Sequence, residues 1–198
     1  MTSHDAHLGG MKRTHITSRE ALPEDMRFLL RDYPRDAWPD HPNFDRSIQN
    51  WMGAHQMFRR LGDVTRTETE MYLDKARDPE EFAGRLSVYG NLLVRNLHGH
   101  HTWEDRSFFP ELEAADTRFS HGLQMLEGDH VDLDAHLDAF TQVSNRVVKL
   151  IHLDERQARE EAGQLQELTH RTEAFLARHL ADEEDLVVPL LLHRKLRG

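Results

Sequence analysis

Four segments of the chain carry apolar side chains in steps of three and four residues, the period of an amphipathic α-helix. They span about residues 43–62, 78–104, 120–150 and 154–186. No segment shows the alternating pattern of a β-strand. The sequence therefore predicts an all-α fold, an up-down-up-down four-helix bundle with short connections and an N-terminal arm.

The ends of these segments carry signals that start or stop helices. Asp78 is placed to cap the second helix, with Pro79 at its first position, and Asp154 is placed to cap the fourth. The stretch 63–76 fits either a continuation of the first helix or a connecting loop. Residues 1–42 are rich in proline and cannot form a long helix, although a short one is expected over 23–31. We therefore divide the chain into an arm, 1–42, and a bundle, 43–198.

Composition narrows the classes of function that the chain can serve. Its 198 residues suffice for one domain with its own core. A net charge of −10 argues against a nucleic-acid partner, because phosphate binding needs a basic surface. No apolar run has the length of a membrane span or the character of a secretory signal, so we expect a cytoplasmic protein. The lack of cysteine excludes disulfides, thiolate metal sites and thiol catalysis.

Each predicted helix carries a histidine on its apolar stripe, and two of these histidines are followed four residues later by a glutamate. The histidines are His55, His100, His130 and His179, and the glutamates are Glu104 and Glu183. The two pairs lie in an internal repeat, HHTWEDRSFFP from residue 100 and HLADEEDLVVP from residue 179. Its register aligns His100, rather than the neighbouring His101, with His179.

The spacing within each pair suits a metal site. Residues four apart on a helix differ in direction by about 40°, so an imidazole and a carboxylate can reach one ion. Residues five apart differ by about 140°, which turns Asp105 and Glu184 away and leaves them at most a role in orienting imidazoles. Apart from Glu183, the acidic run 182–185 is expected to be solvated. Four imidazoles and two carboxylates suit two octahedral ions better than one tetrahedral zinc, with iron favoured and manganese the alternative.

At these positions the chain resembles the hemerythrin-like (HHE cation-binding) family. The resemblance covers about residues 43–192 and is carried by six predicted ligands, by Asp129 before His130, and by the proline that ends each repeat. It implies a four-helix bundle that holds two non-haem iron ions joined by an oxo or hydroxo bridge. Members of the family carry oxygen, sense iron or oxygen, or handle nitric oxide, peroxide or iron–sulfur repair.

Two departures from the family refine the expected function. Oxygen carriers have a further histidine one turn after the third-helix ligand, where this chain has Asp134, and the repair proteins often carry a cysteine-containing N-terminal domain, whereas this sequence has no cysteine. We therefore expect a di-iron protein that reacts with or senses oxygen, peroxide or nitric oxide under oxidative or nitrosative stress. The alternatives are a non-catalytic iron or oxygen sensor, an iron-handling interaction module and a reversible oxygen binder.

A ferritin-like site is the structural alternative, and it needs Glu-x-x-His on two helices. Glu127 with His130 and Glu167 with His170 have that spacing. However, Glu127 lies beside the third stripe, and His170 points away from the fourth, so we disfavour this site. The aromatic residues on the stripes, Trp51, Phe58 and Tyr89, are expected to be core residues.

Overall fold

The computed structural model describes residues 15–196. Five α-helices follow one another within this range: α1 (Arg46–Leu73), α2 (Pro79–Trp103), α3 (Phe109–Ala115), α4 (Ser120–Ile151) and α5 (Glu155–Arg194). No strand occurs among the described residues, and four of the helices are long, as in a helical bundle. The all-α prediction is therefore confirmed.

The stretch 63–76, for which the sequence left two alternatives, mostly continues α1. Thr65 and Thr69 are buried, and their hydroxyl groups donate hydrogen bonds to the backbone carbonyls of Gly62 and Thr65 respectively. Neither side chain therefore leaves an unsatisfied polar group in the core. The helix ends where Lys75 adopts a left-handed conformation with φ of 60°. The backbone N–H of Ala76 then bonds to the carbonyl of Met71 and closes the last turn.

The predicted starts of two long helices are confirmed. Asp78 Oδ1 accepts hydrogen bonds from the backbone N–H groups of Glu80 and Glu81, at 2.9 and 3.1 Å. Asp154 Oδ1 does the same for Arg156 and Gln157, at 3.1 Å each. Each carboxylate thus satisfies N–H groups that have no partner inside the helix.

A π-helical segment, Glu104–Phe108, separates α2 from α3. Pro110 follows it near the start of α3 and has no N–H to donate to the preceding turn, so one bond of the helical hydrogen-bond ladder is lost there. Pro189, the matching proline of the repeat, lies inside the continuous α5. The two halves of the repeat therefore differ in backbone geometry, and a wider turn follows His100 and His101.

The chain forms two compact units, and the first contains residues 15–55, 103–130 and 177–196. Its core includes side chains that precede α1 as well as side chains of the helices, and those that precede α1 are Leu22, Met26, Leu29 and Trp38. Residues 1–14 of the predicted arm lie outside the described residues. The helix expected over 23–31 is reduced to a 3-10 turn, Glu24–Met26. Each buried Leu or Met contributes about 1.5–3 kcal/mol relative to an exposed one, which ties this segment to the unit.

The second unit contains residues 56–102 and 131–176 and has a separate core. Tyr72 and Phe82 stack with their ring centroids 4.4 Å apart at one end of it. Most predicted stripe residues of this unit are buried, among them Leu86, Leu137 and Phe140, whereas Tyr89, Leu168 and Phe175 are only half-buried. None of the helices in residues 15–196 combines the length and the apolarity needed to cross a membrane.

Candidate metal centre

Five of the six predicted ligands lie in the first unit, on four different elements. His55 comes from α1, Glu104 from the π-helical segment, His130 from α4, and His179 and Glu183 from α5. All five are at most 2% exposed. Burying so many ionisable groups is costly unless opposite charges compensate for them, so this cluster differs from an ordinary helix core.

Glu183 stands at the centre of the cluster. Its Oε1 lies 3.2 Å from His179 Nε2 and 3.4 Å from His130 Nε2, and its Oε2 lies 3.4 Å from His55 Nε2. Ligand atoms that share an ion at about 2 Å lie about 3 Å from one another, so these separations are close to those of a coordination sphere. Glu183 Oε2 is also buried and accepts no hydrogen bond, which is a position that a cation would satisfy.

Each of these three imidazoles has a carboxylate at its other nitrogen. His55 Nδ1 lies 3.1 Å from Glu184 Oε1, His130 Nδ1 lies 2.7 Å from Asp105 Oδ1, and His179 Nδ1 lies 3.2 Å from Asp129 Oδ2. An ionised carboxylate only accepts hydrogen bonds, so Nδ1 carries the proton and Nε2 keeps its lone pair in the neutral ring. This is the arrangement that orients histidines toward metal ions in proteins.

Asp105 and Glu184 therefore contact imidazoles, as the helical spacing allowed. The contact of Asp129 with an imidazole was not predicted. Asp129 was noted only as a neighbour of His130, but its carboxylate contacts His179 on another helix. Trp51 was expected to be a core residue and is buried, yet its Nε1–H also donates to Glu104 Oε1 at 2.8 Å. A tryptophan four residues before the predicted ligand His55 was the sequence signal for this contact.

The expectation that the acidic run 182–185 is solvated apart from Glu183 was wrong. Asp182 is fully buried and Glu184 is only 4% exposed. Arginines compensate for both: Arg19 and Arg178 contact Asp182, and Arg35 contacts Glu184. These arginines lie outside the helical stripes, so stripe analysis gave no sign of them.

His100 and His101 occupy the last turn of α2. His100 is half-buried and packs on the Phe58 ring, with centroids 5.0 Å apart, whereas His101 is only 2% exposed. Within residues 15–196, two groups of potential metal ligands each have all their ligand atoms within 4.8 Å of one another. One group consists of His55, His100, Glu104 and Glu183, and the other of His101, His130 and His179. The register of the sequence repeat selected His100 and set His101 aside, and in the structure each of the two histidines belongs to one of these groups.

Apart from His130 itself, the residues considered for the rival sites are not among these groups of potential ligands. Asp134, at the position where oxygen carriers have a histidine, contacts His98 Nδ1 at 3.2 Å, and both side chains are substantially exposed. Glu167 and His170 of the ferritin-like spacing are exposed as well, and His170 contacts Glu70. The structure therefore gives no support to a ferritin-like site.

The charges of the cluster favour a bound cation. Burial alone would lower the pKa of His130, but its hydrogen bonds to Asp105 and Glu183 and the charge of Glu183 and Glu104 raise it to about 10. Burial likewise opposes ionisation of His179, yet Glu183 and Asp129 raise its pKa to about 8. Burial acts to raise the pKa of Glu183, but the imidazoles around it hold that pKa well below its usual range. The carboxylates thus create a site that stabilises positive charge.

Comparison with curated proteins and with solved structures gives no significant match. The family model of the hemerythrin HHE cation-binding domain, in contrast, matches residues 46–191. This match includes every predicted ligand, three of the long helices in full and α5 as far as residue 191. The chain therefore belongs to the hemerythrin HHE cation-binding domain family.

Proposed function

We propose that this protein binds two non-haem iron ions and reacts with or senses small oxidants such as oxygen, peroxide or nitric oxide. The proposed ligands are His55, His100, Glu104, His130, His179 and Glu183, with His101 added on the basis of its burial and its ligand group. The observation that carries the proposal is the approach of three imidazole Nε2 atoms to the two oxygens of Glu183. Imidazoles together with carboxylates suit iron, with manganese as the alternative.

The broader features of the proposal follow from the family and the sequence. We infer an up-down-up-down bundle, an oxo or hydroxo bridge between the ions and a cytoplasmic location. The net charge of −10 supports a small-molecule ligand over nucleic acid. The division of the chain at residue 42 stays a prediction.

The chain's own residues would prepare the site for this chemistry. Bound iron would supply redox activity and positions open to a small ligand. The carboxylates at the three Nδ1 atoms hold the rings so that Nε2 faces Glu183, and Trp51 holds one oxygen of Glu104. Because all five ligands of the first unit are buried, bulk water and large reactants are kept from the cluster.

Metal analysis tests the proposal most directly. After expression with ample iron, the purified protein should contain about two iron ions per chain, because the ligand set exceeds the needs of a single ion. Elemental analysis together with the protein concentration measures this ratio. One zinc ion per chain without iron would contradict the di-iron assignment.

The two neighbouring histidines of α2 provide a second prediction. His100→Ala and His101→Ala should each reduce metal content and affinity, since each ring belongs to one of the two groups of potential ligands. His98→Ala is the matched control on the same helix, because the His98 side chain is 65% exposed and contacts Asp134. Elemental analysis of the three variants in parallel would show whether one or both histidines bind metal. Full metal content in His101→Ala would restore the assignment to His100 alone.

Reactivity with oxygen distinguishes the proposed function from reversible oxygen binding. We expect the ferrous protein to oxidise rapidly in air, because Asp134 is turned to His98 and supplies no imidazole. If His101 binds metal, it supplies a fifth imidazole from a different position and so favours the alternative function, reversible oxygen binding. Stopped-flow spectroscopy of the reduced protein mixed with oxygen decides between them. Binding that reverses on degassing, and that is lost in His101→Ala, would establish a reversible oxygen binder.

A further inference from the structure

Arg19 is a buried arginine in the segment that precedes α1. Its side chain is 1% exposed, and its guanidinium contacts both oxygens of Asp129 and, through Nε at 2.7 Å, Oδ2 of Asp182. Arginine is rarely buried without such partners, because its charge cannot be removed by deprotonation. Asp129 is the same residue whose Oδ2 lies 3.2 Å from His179 Nδ1. A continuous chain of contacts thus runs from Arg19 through Asp129 to a proposed ligand.

Arg35 makes an equivalent set of contacts from further along the same segment. Its Nη1 donates to Glu184 Oε2 at 2.8 Å, its Nε to Asp185 Oδ1 at 2.6 Å, and its Nη2 to the carbonyl of Ala181 at 2.8 Å. The other oxygen of Glu184 lies 3.1 Å from His55 Nδ1. Here too a carboxylate stands between an arginine and the imidazole of a proposed ligand.

We propose that Arg19 and Arg35 are positioning residues of the metal centre. Both come from the segment that precedes the four long helices. Each fixes the carboxylate that holds a ligand ring, Asp129 for His179 and Glu184 for His55. The inference rests on the proposed iron-binding function and extends it to residues 15–45. This segment thus forms part of the centre's outer shell as well as of the core.

Two physical effects follow from these contacts. A planar guanidinium that donates to several fixed acceptors leaves the carboxylate little freedom to rotate, so the orientation of the imidazole is set before metal binds. The positive charge also offsets the carboxylate beside the ring and so disfavours the more oxidised state of a bound ion. Loss of either arginine should loosen the ligand and lower the reduction potential.

The test compares full-length, iron-loaded Arg19→Gln, Arg35→Gln and Arg31→Gln. Arg31 is the matched control, because it belongs to the same segment but pairs with Glu24, and both side chains are more than 70% exposed. Iron loss to a chelator should be about tenfold faster in Arg19→Gln and Arg35→Gln than in the wild type. The midpoint potential of the bound iron should fall in both variants and stay unchanged in Arg31→Gln. Arg19→Lys should recover the potential better than the rate of iron loss, since an ammonium keeps the charge without the guanidinium geometry.

The outcomes separate this inference from the proposed function. If the wild-type chain binds no iron, the proposed function is overturned. If the wild type is loaded but either Arg19→Gln or Arg35→Gln matches Arg31→Gln in both measurements, the positioning role is overturned and the function stands. Circular dichroism of each variant checks folding. Should Arg19→Gln fail to fold, Arg35→Gln decides alone, because its side chain is 43% exposed and its removal leaves no cavity in the core.

Discussion

Replacing Glu183 with glutamine is expected to remove most of the bound metal. Three imidazoles approach this one carboxylate, so its loss weakens every coordination sphere in which those rings take part. A carboxamide has nearly the same shape but lacks the negative charge and offers a single acceptor oxygen. Loss of the charge at the centre should cost at least the roughly 10–100-fold in metal affinity that is typical of changes in the surrounding shell. Elemental analysis after dialysis against a weak chelator measures the effect.

Glu167→Gln is the control for this experiment. Glu167 lies on the same helix, and its side chain is 75% exposed, so the substitution makes the same chemical change away from the cluster. The control should keep the metal content of the wild type. Equal metal content in Glu183→Gln and Glu167→Gln would show that Glu183 is not a ligand.

Removal of the metal should lower the stability of the protein substantially. Without a cation, the buried carboxylates Glu104 and Glu183 depend on imidazoles for compensation. A ligand present at 1,000 times its dissociation constant stabilises the native state by about 4 kcal/mol. At about 2–4 °C per kcal/mol for a chain of this size, the melting temperature should fall by roughly 10 °C. Calorimetry of iron-loaded and chelated protein measures the difference.

The Glu183→Gln variant separates this effect from a general action of the chelator. Because the variant holds little metal, its melting temperature should respond little to chelation. A wild-type melting curve that is the same with and without chelator would contradict the stabilising role of the metal. The same result would be expected if the imidazoles alone compensated for the buried carboxylates.

Much of the fold could be predicted because it depends on local sequence. The apolar stripes specify which face of each long helix is buried, and their members Ile48, Leu126 and Leu165 are buried as predicted. The caps at Asp78 and Asp154 depend on atoms no more than three residues away. Helical period and capping act over one turn, so they are visible in sequence without knowledge of neighbours.

The metal-ligand candidates were visible for the same reason, but the choice between neighbours was not. The spacing of four residues marks His179 and Glu183 as neighbours on one helix face, and their atoms lie 3.2 Å apart. His100 and His101 could not be separated in this way, because the π-helical segment that follows them breaks the regular period on which the alignment of the repeat relied. The backbone geometry of the folded chain places both histidines near other potential ligands.

The sequence by itself determined the helical class, the buried faces, two helix caps and the histidines and glutamates that mark the family. Tertiary structure alone decided how the charges around the cluster are compensated. Arg19 contacts Asp129 across 110 residues of chain and Asp182 across 163, and Arg35 reaches Glu184 across 149. The acidic run 182–185 therefore looked solvated in sequence but is largely buried in the structure. Helical period specifies the direction of a side chain, whereas the opposite charge that compensates for burying a carboxylate comes from a distant part of the chain.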